Sequence, residues 1–477
     1  MTARNHKAQQ GQSVRSKLLL SVSANAISLV VSVVLALVVP KLLGVEDYGY
    51  WQLYTFYISY VSLLHFGIVD GVLLRLGGAY YDELDFPALR SQFAVFSAGE
   101  GLLTLMLAVG ALACSPADKT FVLVSAVLNV VLVNCRFYLL YVFQATSRVK
   151  EYARYTKIDR YIYFAGTMIL LLVGVRDYRP LLIVDLLAKV VTLLGCMFTA
   201  KGLVFGKIEA TKPTFMTIWT DARSGIKLTI AYLSGLLITG IVRFGIEWRW
   251  GVTAFGSTSL VLNVSNMLVT FINAASIVLF PILRRVDRNS YNRIFDRLEV
   301  ALLACSATAM LLYAPMRCVL SMWLPEYKEA LASLVILLPM CVFECKVSLL
   351  TNTFLKSLRE ERLIMVANVI AVIVSLSGTV LSVGVIGNLE LAMLVITIAS
   401  AARCLVSELF LANVMERKVS TAIAVESSCV LAFLVFNSLL DMGIAFLLYG
   451  ALVLTGLFIF RGSVISSLSY LKQKLRG

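Results

Sequence analysis

Eleven ionisable side chains sit inside long apolar runs of this 477-residue chain: Asp70, Glu100, Arg136, Asp185, Lys189, Arg243, Glu247, Glu344, Lys346, Arg403 and Glu408. Away from water an ionised group costs several kcal/mol unless it is paired or hydrated. Asp185 with Lys189, and Arg243 with Glu247, stand four residues apart, so each pair can neutralise itself on one helical face. Arg136, Lys346 and Arg403 have no partner at that spacing. For Arg136 and Arg403 two readings stay open: cationic hydrogen-bond donors for an anionic group in a wet interior, or structural partners of Glu344 or Glu408. Lys346 is a further cation of the first kind, its neighbour Glu344 being a candidate partner for another helix. Asp70 could hold a coupling proton or sodium ion, or pair with Arg75 or Arg136. His65, one of only two histidines, reads as a buried neutral ring. No Asp-x-Asp motif or histidine cluster occurs, so no catalytic residue, metal site or cofactor is expected.

Uncharged polar residues are patterned as well. Lys17, Ser21, Asn25, Ser28 and Ser32 recur every three or four residues, and so do Ser259, Asn263, Asn266, Thr270 and Asn273. Such spacing places each set on one face of a helix. A polar face running the depth of a membrane helix reads either as the wall of a wet lumen or as hydrogen-bonding glue between helices.

The elements that must position these residues follow from composition. The chain is 59% hydrophobic and 15% charged, against about 25% charged in an ordinary soluble domain, and its mean hydropathy is +0.86. A soluble enzyme, a disulfide scaffold, a disordered chain and a coiled coil are thereby excluded. Apolar runs of about 20 residues point to an all-α polytopic membrane protein rather than a barrel. Fourteen transmembrane helices are expected, at roughly 18–43, 50–75, 92–114, 119–145, 158–176, 180–201, 225–247, 254–283, 298–318, 328–355, 363–386, 389–413, 421–440 and 442–461.

The net charge of +14 reads as orientation in a membrane, not as affinity for nucleic acid. With a cytoplasmic N-terminus, thirty Lys and Arg fall in inside segments and eight in outside segments. That bias predicts an even number of helices with both ends inside. The nine cysteines, most of them within apolar runs, read as small buried hydrophobes. Trp and Tyr at 48, 50, 51, 248, 250, 323 and 327 read as anchors at the outer membrane edge.

The chain also repeats itself. Gly44-Val45-Glu46-Asp47-Tyr48-Gly49 and Gly251-Val252-Thr253-Ala254-Phe255-Gly256 share G-V-x-x-aromatic-G at an offset of 207 residues. Helices one and two superpose on seven and eight at that offset, with both turns outside, so the repeat is a parallel one. The expected division is an N-terminal lobe at 1–202 (helices one to six), a cytoplasmic linker at 203–224, a C-terminal lobe at 225–414 (helices seven to twelve), and two extra helices with a basic tail at 415–477.

The segment Pro40-Lys41-Leu42-Leu43-Gly44-Val45-Glu46-Asp47-Tyr48-Gly49-Tyr50-Trp51, with Gly67-Ile68 and Arg75, resembles the P-x-L-G-x-x-x-Y-G junction of Wzx-type polysaccharide flippases. These belong to the multidrug/oligosaccharidyl-lipid/polysaccharide exporter superfamily. The resemblance covers about 75 residues closely and the rest through helix count and the six-plus-six division. It implies two pseudo-symmetric bundles around a cavity that opens alternately to either side of the bacterial cytoplasmic (inner) membrane. It implies as cargo an oligosaccharide on undecaprenyl diphosphate, a repeat unit of O-antigen, capsule or exopolysaccharide, moved from inner to outer leaflet. Membrane lipid and a polysaccharide polymerase machinery are the implied partners.

On this reading Arg136, Arg403 and Lys346 meet the diphosphate. Asn25, Ser28, Asn263, Asn266, Thr270 and Asn273 line the cavity, and Asp70 couples transport to H+ or Na+. A lipid II flippase and a multidrug/cation antiporter are the related alternatives. The rival of another class, a membrane enzyme of polysaccharide assembly, is poorly supplied with acid–base groups.

Overall fold

The computed structural model describes residues 31–209, 211–283, 290–418, 421–459, 461–462 and 466, without the side chains of residue 268 and residues 271–282. Asn25 and Ser28 lie outside the described residues, and Asn273 lies on a helix whose side chain there is not described. All regular structure among the described residues is helical, as expected of a backbone that must satisfy its own hydrogen bonds inside a bilayer.

The chain separates into two compact units, one up to Leu233 and one from Ser234. The first holds α1 (Val31–Leu42), α2 (Val45–Val61), α3 (Ile68–Leu76), α4 (Phe86–Cys114), α5 (Ala117–Ala145), α6 (Val149–Leu172), α7 (Tyr178–Thr199), the single turn α8 (Lys201–Val204) and the first part of α9 (Lys212–Leu283). The second holds the rest of α9, then α10 (Tyr291–Met310), α11 (Tyr313–Trp323), α12 (Lys328–Ala332), α13 (Leu334–Lys346), α14 (Asn352–Ser357), α15 (Glu361–Thr379), α16 (Leu389–Val414), α17 (Ala422–Leu439) and α18 (Met442–Ile459).

Among the described residues nine helices are long and apolar enough to cross a membrane, or eleven when each of two bent pairs counts as one span. Twelve of the fourteen expected stretches fall on these helices; the described part of the first stretch, from residue 31, is the shorter α1, and the fifth falls on α6. Two share α9, which breaks at Gly251 (φ 78°), within the second copy of the repeated turn. One is α2 with α3, bent by 59°, and one is α10 with α11, bent by 43°. The first bend has a local cause. Phe66 (φ 49°) and Gly67 (φ 82°) are both left-handed, which ends one helix and starts the next at an angle. The tight junctions before α7 and α16 are true breaks. Asp177 accepts from Arg179 N (2.8 Å) and Asn388 accepts from Leu391 N (2.9 Å), capping the helices that follow.

The connector is shorter than expected. Residues 212–224 are the start of α9, and they pack into the first unit.

In the first unit α5 is the central helix, packed by α2, α3, α4, α6 and α7, and α6 packs on α7. In the second, α13 is packed by α10 and α16, and α15 packs on α16. The same order of neighbours therefore recurs. In each unit the fourth span is the most buried one, and it carries a buried cation: Arg136 on α5, Lys346 on α13.

Several aromatic residues expected as edge anchors are packed inside instead. Tyr48, Tyr50, Trp51 and Tyr327 are buried, whereas Trp248 and Trp323 are exposed. Trp51 Nε1 donates to the Tyr163 hydroxyl (3.0 Å) and the Tyr50 hydroxyl donates to Asp118 (3.1 Å). The polar tips of Trp51 and Tyr50 are thus met by protein groups inside the first unit. Cys135, Cys196, Cys341, Cys345 and Cys404 are buried thiols.

Candidate functional site

In the first unit the charges on α5, α6 and α7 close on one another. Arg136 Nη1 lies 2.9 Å from Asp159 Oδ1 on α6, and both side chains are largely buried. Lys189 pairs with Asp185 one turn earlier on α7, as their spacing allows. Asp185 also accepts from the Tyr54 hydroxyl, which in turn accepts from Asn129 Nδ2 (2.8 Å). A buried pair of this kind is costly to break, because removal of one partner strands the other charge. Arg136 is thus held by a carboxylate that sequence spacing did not bring near it. Asp159 lies twenty-three residues away, near the middle of α6.

Asp70 lies on α3, in contact with neither Arg75 nor Arg136 as a partner. Thr229 on α9 donates its hydroxyl to Asp70 Oδ2 at 2.8 Å. Arg75 instead makes a two-pronged contact with Asp221 of α9, Nε to Oδ1 and Nη2 to Oδ2, each 2.8 Å, and Nη2 also reaches Gln92 at 2.8 Å. His65 accepts the Gly67 amide through Nδ1 (3.0 Å), which fixes its tautomer at the break.

These contacts belong to one antiparallel seam. Gly67, Gly71 and Arg75 recur every four residues on α3, facing Thr229, Gly225 and Asp221 at the same period on α9. The two backbones touch. A Cβ on Gly71 would lie 2.0 Å from the Asp221 carbonyl oxygen, and one on Gly225 would lie 2.0 Å from that of Gly67. Only glycine permits this approach.

In the second unit Arg403 of α16 is clasped by Asn368 of α15 (Nε to Oδ1, 2.8 Å) and Glu344 of α13 (Nη1 to Oε2, 2.9 Å). The pair keeps some access, with side chains 13% and 19% exposed. Lys346, two residues from Glu344, is placed differently. Its side chain is 2% exposed, and its ammonium is met by Glu408 (2.7 Å), Glu299 (2.9 Å) and Glu426 (3.1 Å). Lys346 was expected to meet a diphosphate; all three of its donor directions are taken by carboxylates, which leaves none for another anion. Glu299, in the interior of α10, and Glu426, in the second turn of α17, are not among the eleven intramembrane charges singled out from the sequence.

The polar face at 259–273 is divided. Ser259 is buried and accepts from Arg243 Nη2 (2.9 Å). Asn263 is half-buried, while Asn266 and Thr270 are exposed, Thr270 donating to the Asn266 carbonyl at 2.8 Å.

The chain is thus a helical multi-pass membrane protein with ion pairs buried among bent and glycine-packed spans. No family model matches the sequence, and no curated protein matches it. Solved structures do. "Lipid II flippase MurJ, inward closed conformation" is similar with a TM-score of 0.64 at 14% identity, over 94% of this chain and 99% of that one. A "multidrug resistance MATE family transporter of the MOP superfamily" in its inward-facing conformation gives 0.56 at 13% identity, over 83% of this chain and 94% of that one. A "MOP superfamily transporter from Pyrococcus furiosus" gives 0.52 at 12% identity, over 84% and 95%. The fold is that of the MOP superfamily transporters, and the neighbours are transporters rather than enzymes.

Proposed function

We propose that this chain is a flippase for a lipid-linked oligosaccharide carried on undecaprenyl diphosphate, working by alternating access in the bacterial cytoplasmic membrane with both ends in the cytoplasm. One observation carries this reading: the likeness over nearly the whole length of both chains to a structure named as a lipid II flippase. The P-x-L-G-x-x-x-Y-G-like opening turns it toward polysaccharide repeat units.

Arg403 is the cation best placed to meet a diphosphate. It keeps an accessible edge, and phosphate oxygens can replace Glu344 at its planar fork. Arg136 could serve as a second contact only if its pair with Asp159 opens. Asn263, Asn266 and Thr270 are the hydrogen-bonding groups offered to sugar hydroxyls, since uncovered amides on a membrane helix are better hydrated than set against lipid. Asp70, with a neutral hydroxyl as its described partner, is the carboxylate proposed to take a coupling H+ or Na+. The seam between α3 and α9 is the proposed moving part, because both strands of the contact lie beside the left-handed break at Phe66 and Gly67.

The second reading, a lipid II flippase, rests on the same structural neighbour. Proteoliposomes with a labelled undecaprenyl-diphosphate oligosaccharide or labelled lipid II in the inner leaflet separate the two. Protein-dependent exposure of the oligosaccharide, chemically unchanged, is the expected result. Movement of lipid II alone selects the second reading. Movement of neither lipid, with efflux of organic cations, overturns both in favour of an antiporter, and chemical alteration of the lipid would indicate an enzyme.

A further inference from the structure

The cluster around Lys346 does not balance. Three carboxylates, Glu299 on α10, Glu408 on α16 and Glu426 on α17, surround one ammonium. The second cation is Arg417, just beyond α16, whose Nη2 lies 3.7 Å from Glu408 Oε1 and 4.0 Å from Glu299 Oε2. Arg417 also stacks on Phe295 (3.8 Å to the ring centre) and reaches Asp296, a carboxylate that is mostly exposed and therefore balanced by solvent. The nearby Glu344 is already neutralised by Arg403. The other titratable groups facing the cluster are the thiols of Cys345, Cys404 and Cys429, which are neutral when protonated. Among the described residues, three buried negative charges thus stand against two positive ones.

An uncompensated charge at such depth costs far more than protonation does. Glu408 is fully buried, and its Oε1 has no hydrogen-bond partner within reach, the guanidinium being too far to donate. The position a metal ion would take between the carboxylates is filled by the Lys346 ammonium itself. We propose that Glu299, Glu408 and Glu426 share one exchangeable proton around Lys346, making this cluster a proton-binding site of the second unit.

Arg417 and the mostly exposed Asp296 lie at the surface end of the cluster, the side from which water would exchange the proton. Glu426 ties α17, one of the two helices beyond the six-plus-six set, to Lys346 of α13. Loss of the proton puts a third full negative charge at that junction, so α17 loosens as the proton leaves. This inference does not rest on the proposed cargo, and its test needs no transport assay.

Infrared difference spectra of the purified full-length chain, stepped in pH in sodium-free buffer, read protonated carboxyls directly. The parent is expected to lose a carboxylic-acid carbonyl band as pH rises, with faster hydrogen exchange over residues 422–430. Glu408→Gln, Glu299→Gln and Glu426→Gln each substitute a neutral amide for the shared proton, leaving two carboxylates for two cations. Each should remove that band component, and Glu408→Gln should also remove the pH dependence of exchange. Lys346→Met should add a second titrating proton. Glu100→Gln, in the first unit, should leave the component in place. If all three Gln variants retain the parent band in full, the proton site is overturned.

Discussion

Arg403 and Asp70 are the charges whose partners leave them something to do. The Arg403 fork has one carboxylate, one amide and an accessible edge. Replacement by Ala removes charge-assisted hydrogen bonds worth roughly 1.5–3 kcal/mol. Flipping of the oligosaccharide in proteoliposomes should therefore fall by about ten-fold or more, with insertion unchanged. Lys should restore only part, since a point charge cannot grip two oxygens in a plane. Full activity of Arg403→Ala would remove it from the site. Asp70 is held by a hydroxyl, which can stay bonded to a carboxyl in either protonation state. Asp70→Asn is expected to keep the Thr229 contact and thermal stability while abolishing the dependence of transport on the proton or sodium gradient. Retained gradient dependence would assign Asp70 to the seam alone.

At the scale of elements, the contact between α3 and α9 is closer than ordinary helix packing. Backbone lies on backbone at Gly67, Gly71 and Gly225, with Arg75–Asp221 closing one end and Asp70–Thr229 the other. Gly71→Ala inserts a Cβ that overlaps the Asp221 carbonyl. Overpacking of this kind costs about 1–3 kcal/mol. The variant should melt several degrees lower in detergent, and amides at 67–76 and 221–229 should exchange faster. If the seam is the moving part, the same substitution shifts the protein toward the state in which the seam is open. A cysteine in place of Thr229, buried at the seam, should then gain reactivity with a water-soluble maleimide. Unchanged melting and exchange would show that the seam is not held shut in the resting protein.

For the whole molecule the testable quantity is topology. The excess of Lys and Arg in alternate segments predicts that the connector before α9 faces the cytoplasm. In a cysteine-free background, Ile208→Cys should react with an impermeant maleimide only after the inner face is opened. A cysteine restored at position 114, the exposed end of α4, should react from outside in intact cells. The reverse pattern would invert the orientation assigned to every helix.

Much of the helical plan was legible because its causes are local. Apolar length, the glycine turns at 44 and 251, and the Asp and Asn caps act over a few residues, so the order of helices can be read along the chain. The ion pairs could not be read that way. Arg136 finds Asp159, Arg403 finds Glu344 and Asn368, and Lys346 finds three carboxylates on three different helices. These meetings depend on which faces of α5, α10, α13, α15, α16 and α17 are packed together, and periodicity within one helix says nothing about the rotation of the next. For the same reason residues 212–224 looked like a basic connector. Their charges are local, but Asp221 and Gly225 acquire a partner helix only when α3 is laid against them. The sequence by itself determined that this is a helical membrane protein with a surplus of positive charge. Tertiary structure alone decided which of those charges are spent on carboxylates and which, like Arg403, keep an open edge, because burial and pairing are properties of helix faces brought together in space.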